Sequence, residues 1–426
     1  MPDLLRGLVG LLVLVGIGVA FSTNRRAIRP RVVLAALALQ VAIGALILFA
    51  PWGRVALGAA ATGVNHVLDF GSKGIEFLFG PLVTARMFEL FGDTGFVFAF
   101  RVLPAIIYVS ALIAVLYHLG IMRWIIVGLG LLMQKLVGVS KIESFSAVTT
   151  IFLGQSEMPA ALRPFAAKLR GAELFSIMTS GMAAVAGSTL AGYAGLGVRM
   201  DYLIAASFMA IPGGLLFAKI LCPTVEPSPI TVDEVHFEER PSANVIEAAA
   251  AGAAVGLRVA VNVGAMLIAF IGLIALLNGL FSGIAGWLGY PALSLEAVMG
   301  HVFAPLAWLL GVPWEHTGVA GNLIGQKLIL NEFVGYASFA PYLKPAAEVT
   351  AAGLTVLDPK TIVIVSFALC GFANLSSIAI LAGGFGVVAP GLRAEVARYG
   401  LRVVVAATLS NLASATIAGA FVSATQ

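Results

Sequence analysis

Long stretches of chain without one charged side chain decide what this sequence can fold into. They lie between Arg6 and Arg25, Arg31 and Arg54, Arg101 and Arg123, Glu173 and Arg199, Asp201 and Lys219, Arg258 and Glu296, Lys360 and Arg393, and from Arg402 to the end. A helix needs roughly 20 apolar residues to cross about 30 Å of hydrocarbon, so these stretches predict eight transmembrane spans. A ninth, between Glu296 and Glu315, carries His301, Pro305, Gly311 and Pro313 and predicts a broken or interfacial helix. Composition agrees: 60% of the 426 residues are hydrophobic and 11% charged, where a soluble domain carries about a quarter charged residues. A soluble enzyme and a secreted disulfide scaffold are excluded. So is a nucleic-acid binder, because 25 Lys+Arg face 21 Asp+Glu and the basic residues are dispersed. Cys222 and Cys370 sit far apart without a CxxC and read as core fillers, with no metal site assigned.

Arg25, Arg26, Arg29 and Arg31 follow the first run while only Arg6 precedes it, so that run reads as an anchor rather than a signal peptide. The same arginines place the first loop in the cytoplasm and both termini outside. Arg123, Lys135, Lys141, Arg163, Lys168 and Arg170, and later Arg393, Arg398 and Arg402, also fall in predicted cytoplasmic positions. Residues 223–244, with Glu226, Asp233, Glu234, Glu238 and Glu239, form an acidic cytoplasmic linker.

The informative places are those where the apolar pattern breaks. Between Lys141 and Arg170 an apolar arm reaches a polar tip, Gly154-Gln155-Ser156-Glu157, with Pro159 just after it, and a second arm follows. Neither arm can cross a bilayer, which predicts a re-entrant helical hairpin from the cytoplasm, since turned backbone at membrane depth survives only against protein or a wet cavity. Glu315 to Glu348 repeats this around Gln326, Lys327, Asn331 and Glu332, entering from outside. Ser180–Val198 also resembles Cys370–Val387: Gly181 matches Gly371, Ala183 matches Ala373 and, after a one-residue shift, Ser188 matches Ser377. Each copy follows a hairpin and the two start on opposite sides, an inverted repeat of the kind that places a transport site near the midplane. The fold class expected is therefore an all-α polytopic membrane protein with eight transmembrane helices plus two re-entrant hairpins. Its divisions are 1–140 (spans 1–3 and interfacial helices), 141–222 (first repeat), 223–244 (linker), 245–313 (span 6 and an interfacial helix) and 314–426 (second repeat).

Intramembrane carboxylates are expensive and mark functional sites, which singles out Glu157 and Glu332. His118, His301 and His316 read as packing residues, and Lys327 either pairs with a hairpin acid or snorkels. The combination of GQSEMPAALRPF at 154–165, LNEF at 330–333, CGFANLSSIAI at 370–380 and VLPAIIYVSALIAVLYHLGIM at 102–122 resembles the concentrative nucleoside transporter family. The resemblance implies a homotrimer in the bacterial inner membrane, surrounded by lipid, importing uridine or a similar nucleoside by cation symport and using no cofactor. It also implies that Gly154, Gln155, Ser156, Glu157 and Thr189 face the nucleobase. Glu332, Asn374 and Ser377 would bind the ribose, with Phe372 packed on the substrate.

The ion is where this chain departs from the resemblance. Sodium-coupled members hold the cation with an Asn side chain, a Ser hydroxyl and backbone carbonyls; the matching positions here are Thr150, Ala184, Leu153 and Val185. Sodium wants several oxygen ligands and Ala184 offers none from its side chain, so proton coupling is favoured over sodium, with Glu157 or Glu332 as carrier. Two other classes fit the sequence less well. An intramembrane serine protease would use Ser156 with a later histidine, but Glu157 stands where a small residue is needed and His316 lies in the other hairpin. A channel would need a continuous polar lining, and the polar groups here cluster at one depth.

Overall fold

The computed structural model describes residues 3–169, 171–225, 228–230, 242–287 and 294–423. Among these every regular element is helical. The helices are α1 (Asp3–Ala20), α2 (Pro30–Gly44), α3 (Pro51–Phe79), α4 (Arg86–Phe91), α5 (Phe98–Arg101), α6 (Leu103–His118) and α7 (Ile121–Val137). Then come α8 (Lys141–Thr149) and α9 (Met158–Ala161), the two arms of the first hairpin, followed by α10 (Gly171–Ala183), α11 (Gly187–Gly195) and α12 (Met200–Leu221). The second half holds α13 (Val245–Trp287), α14 (Leu295–Leu309), α15 (Thr317–Ile329), α16 (Glu332–Phe339), α17 (Ala346–Ala351), α18 (Pro359–Leu369), α19 (Ser376–Val388) and α20 (Arg393–Ser423). The all-α polytopic reading stands. The acidic residues on which the linker reading rested lie outside the described residues.

The charge-free runs locate helices well but misplace several ends. The run Arg258–Glu296 belongs to a helix that starts at Val245, and the last span starts at Arg393 rather than after Arg402. Arginines at the membrane rim keep their heads in water while the helix continues past them. The fourth run is not one helix: α10 stops at Ala183 and α11 starts at Gly187. The seventh run is likewise split between α18 and α19. The stretch after Glu296, expected to be broken or interfacial, is the 15-residue α14, which runs through Pro305 and stops at Leu309 ahead of Gly311 and Pro313, so the run is broken there. The helix packs closely on α15. A Cβ on Gly300 would stand 2.9 Å from the Gly318 carbonyl oxygen, and one on Gly321 2.8 Å from Ala304 N, so the glycines let α14 and α15 approach closely.

Burial separates two tiers. The α10–α11 segment and α12 are each 89% buried and the last helix 83%, whereas the window over α13 is 6% buried. The inner tier is thus the hairpins, the two broken spans, α12 and α20. The outer tier exposes large apolar side chains such as Trp52, Phe77, Ile246 and Ile268, the composition of a surface that meets lipid or another protomer. Between the tiers, α6 lies along α13, where Gly252 and Gly256 leave no room for a Cβ against Ala114 and Ile107.

Candidate functional site

Both hairpins are built on helix-end chemistry. Ser140 and Glu143 form a capping box that starts α8, with Glu143 Oε2 accepting from Ser140 N at 3.1 Å. The tip is turned backbone closed by Leu153 N to Thr149 O at 2.9 Å and Glu157 N to Gly154 O at 3.1 Å. A Cβ on Gly154 would lie 3.2 Å from Ala186 Cβ, so the first tip abuts the break in the fourth span. In the second hairpin Asn331 caps α16 by accepting from Val334 N at 2.9 Å, which fixes Glu332 as that helix's first residue. The second tip abuts the break in the seventh span through Leu375 N to Leu328 O at 3.1 Å.

Asn374 joins these parts. Its amide nitrogen donates to Glu332 Oε2 at 2.8 Å, while its oxygen accepts from Ser376 Oγ at 2.7 Å and from Ser377 N at 2.9 Å. Ser377 lies between the repeats: its hydroxyl donates to the Phe372 carbonyl at 2.6 Å and accepts from Gln155 Nε2 at 2.7 Å. Gln155, Thr189, Glu332, Asn374 and Ser377 are all buried, Ser156 is exposed and Glu157 half-buried.

These groups surround a cavity of about 470 Å³. All nine residues expected at the base and ribose positions line it: Gly154, Gln155, Ser156, Glu157, Thr189, Glu332, Phe372, Asn374 and Ser377. They come from four segments spread over more than half of the chain. Ser188 and Asn331, named in the sequence only as repeat and hairpin residues, also line it, and sequence reasoning missed the far wall, where Val259, Asn262, Val263 and Met266 of α13 face the tips. Asn262 carried a signal, an amide within a long charge-free run. His316 is not part of the lining; its Nδ1 lies 3.0 Å from Asp358 Oδ1.

The positions matched to a cation site sit beside the first tip. Thr150 Oγ1 donates back to the Ala147 carbonyl at 2.8 Å, and the Ala184 carbonyl accepts from Phe372 N at 3.4 Å. Val185 is fully buried and Leu153 half-buried. No group of three His, Cys, Asp or Glu side chains able to hold a metal occurs among the described residues. Lys327 does not snorkel; it feels the charge of Glu332, the acid of its own hairpin, while its direct bonds go to neutral oxygens. It is buried, and its Nζ donates to Asn411 Oδ1 at 2.7 Å and to the Ala368 carbonyl at 3.2 Å. Asn411 in turn donates to the Ala183 carbonyl at 2.7 Å and the Cys370 carbonyl at 3.1 Å.

Three family models match this chain. One described as Na+ dependent nucleoside transporter C-terminus covers residues 202–419, its N-terminal counterpart covers 9–82, and one described as nucleoside recognition covers 99–200. The chain is 46% identical to the nucleoside permease NupC of Helicobacter pylori, with 97% of each chain covered. A variant of the transporter CNTnw solved in an outward-facing state is 50% identical, with a TM-score of 0.94 over 100% of this chain and 99% of that one. CNTnw in an inward-facing substrate-bound state is also 50% identical, with a TM-score of 0.93 over 98% of each chain. All of these are transporters rather than enzymes.

Proposed function

Because this chain belongs to the concentrative nucleoside transporter family and is therefore a multi-pass membrane transporter, we propose that it imports nucleosides, uridine or a close relative, by symport with a cation through alternating access. The observation that carries this reading is the convergence of nine positions from both repeats, eight of them polar or aromatic, on one cavity. Its volume falls within the roughly 300–1,000 Å³ usual for small-molecule pockets. The first tip, with an amide, a hydroxyl and a carboxylate, matches the mixed donors and acceptors of a base edge. Glu332 faces the opposite end, where a carboxylate that accepts two ribose hydroxyls makes stronger bonds than a neutral group. Two hairpins entering from opposite sides give each gate its own tip. The similarity to both outward- and inward-facing CNTnw structures supports such a cycle. The working unit is a homotrimer in the bacterial inner membrane, with the exposed apolar outer tier facing lipid and neighbouring protomers.

The coupling ion in this reading is the proton. Ala184 has no side-chain oxygen to give, and Thr150 offers a hydroxyl where sodium-coupled members offer an amide oxygen, a poorer ligand set for a hard cation. A carboxylate takes up a proton without an oxygen cage, and Glu157 and Glu332 both line the cavity. The family description, Na+ dependent, favours sodium as the second reading. Uridine uptake into proteoliposomes, with pH and sodium gradients imposed separately, decides between them. Uptake should follow the pH gradient and persist without sodium; strict sodium dependence without a pH response overturns the proton reading. Thr150→Asn combined with Ala184→Ser should confer sodium stimulation.

A further inference from the structure

A helix that stops inside a membrane protein leaves carbonyl oxygens without intrahelical partners and a partial negative charge at its C-terminal end. Here two such ends meet: α10 stops at Ala183 and α18 at Leu369, and the carbonyls of Ala183 and Cys370 accept from one amide, that of Asn411. The approach is close enough that a Cβ on Gly371 would stand 2.3 Å from Asn411 Oδ1 and 2.7 Å from the Ala183 oxygen. Lys327, 2% exposed, completes the cluster from the second hairpin through Asn411 Oδ1 and the Ala368 carbonyl. A buried ammonium is costly unless oxygen surrounds it, and both of these oxygens are neutral. The Glu332 carboxylate on the same hairpin, acting through space, and the two converging helix ends together supply the negative field that favours a cation here.

We propose that Lys327 is a positioning residue, a built-in cation that holds the second hairpin against the ends of both broken spans and thereby sets where Glu332 and Asn374 stand in the cavity. Lys327 precedes the tip turn and Glu332 follows it, so anchoring the first fixes the second. Asn411 carries the same restraint across to the first repeat. Lys327 does not line the cavity, so it acts through this cluster. The inference rests on the nucleoside reading of that cavity.

The test is uridine and adenosine calorimetry on purified, monodisperse protein carrying Lys327→Met, Lys327→Gln or Asn411→Leu, beside the unsubstituted chain. Each variant should raise the Kd for both nucleosides by about tenfold in the folded fraction, the size expected for losing a hydrogen bond to a charged group. The double variant Lys327→Met, Asn411→Leu should bind no worse than the weaker single one, because the two residues act as one unit. A merely structural lysine would lower the folded yield and leave the Kd of the folded fraction unchanged, which overturns the proposal. Wild-type affinity in Lys327→Gln overturns the role of the charge. If Lys327→Met does not fold, Asn411→Leu decides, and unchanged affinity there overturns the proposal equally. Absence of uridine binding to the unsubstituted protein overturns the nucleoside reading and this inference with it, a result distinct from binding that is indifferent to Lys327.

Discussion

In the second repeat the polar side chains around the hairpin and broken span satisfy one another. Glu332 accepts from Asn374, Asn331 caps its own helix, Ser338 donates to Gln326 at 2.7 Å, and Tyr336 donates to the Ser366 carbonyl at 2.8 Å. In the first repeat Gln155 reaches across to Ser377 with its nitrogen, while its oxygen and the hydroxyls of Ser146, Thr179 and Ser180 are buried without a partner. Buried polar groups are normally paired, so this asymmetry has content. The second repeat's hairpin and broken span bond mainly to one another and are tied back to the first repeat through Ser377 and Asn411. In the first repeat Gln155, which lines the cavity, keeps its carboxamide oxygen for a ligand. A site built this way should bind the invariant part of its substrates with the rigid half and meet the variable part with the adaptable half.

Substitutions can break this division, starting with the largest effect. Glu332→Gln removes a charged acceptor from the rigid half, a loss of about 1.5–3 kcal/mol or ten- to hundredfold in affinity. Every nucleoside should lose by a similar factor, and a 2′,3′-dideoxynucleoside should lose little more in the variant than the parent. Unchanged uridine affinity by calorimetry removes Glu332 from the ribose position. Gln155→Ala should cost less, about 1 kcal/mol or fivefold, and unequally among bases. Competition of uridine, cytidine and adenosine for the same site measures this, and a uniform loss would mean that the first tip does not read the base. Asn262→Leu lies outside both repeats, on α13. It should shift affinity by no more than a few-fold, the scale of one neutral hydrogen bond. A loss as large as that of Glu332→Gln would make the far wall a principal binding surface and end the two-repeat account.

Much of this was legible before any geometry. Glu157 and Glu332 stood out as carboxylates at the tips of apolar hairpins, and Asn374 and Ser377 as polar residues in a charge-free run; a cavity collects them. Asn374 and Ser377 marked the seventh span as unusual, but its charge-free run did not show that the helix stops at Leu369 and restarts at Ser376. Nor did the fourth run show its break, because Ala184, Val185 and Ala186 look like ordinary span residues. The partners of Lys327 were hidden for a different reason. They stand at 368 and 411, on helices whose approach depends on a glycine, and no local pattern encodes that distance. Of the breakers read in the run after Glu296, Gly311 and Pro313 follow the end of α14, while Pro305 sits inside it.

The contact between Gln155 and Ser377 bears on turnover. A base that engages either group must first replace a 2.7 Å bond that the protein already makes with itself. The substrate then gains only the difference between two sets of contacts, so its grip stays shallow however many polar atoms surround it. That suits a carrier, for which a deep well would be a trap. When the ligand leaves, the amide has somewhere to return, and each departure closes the gap it would otherwise leave behind.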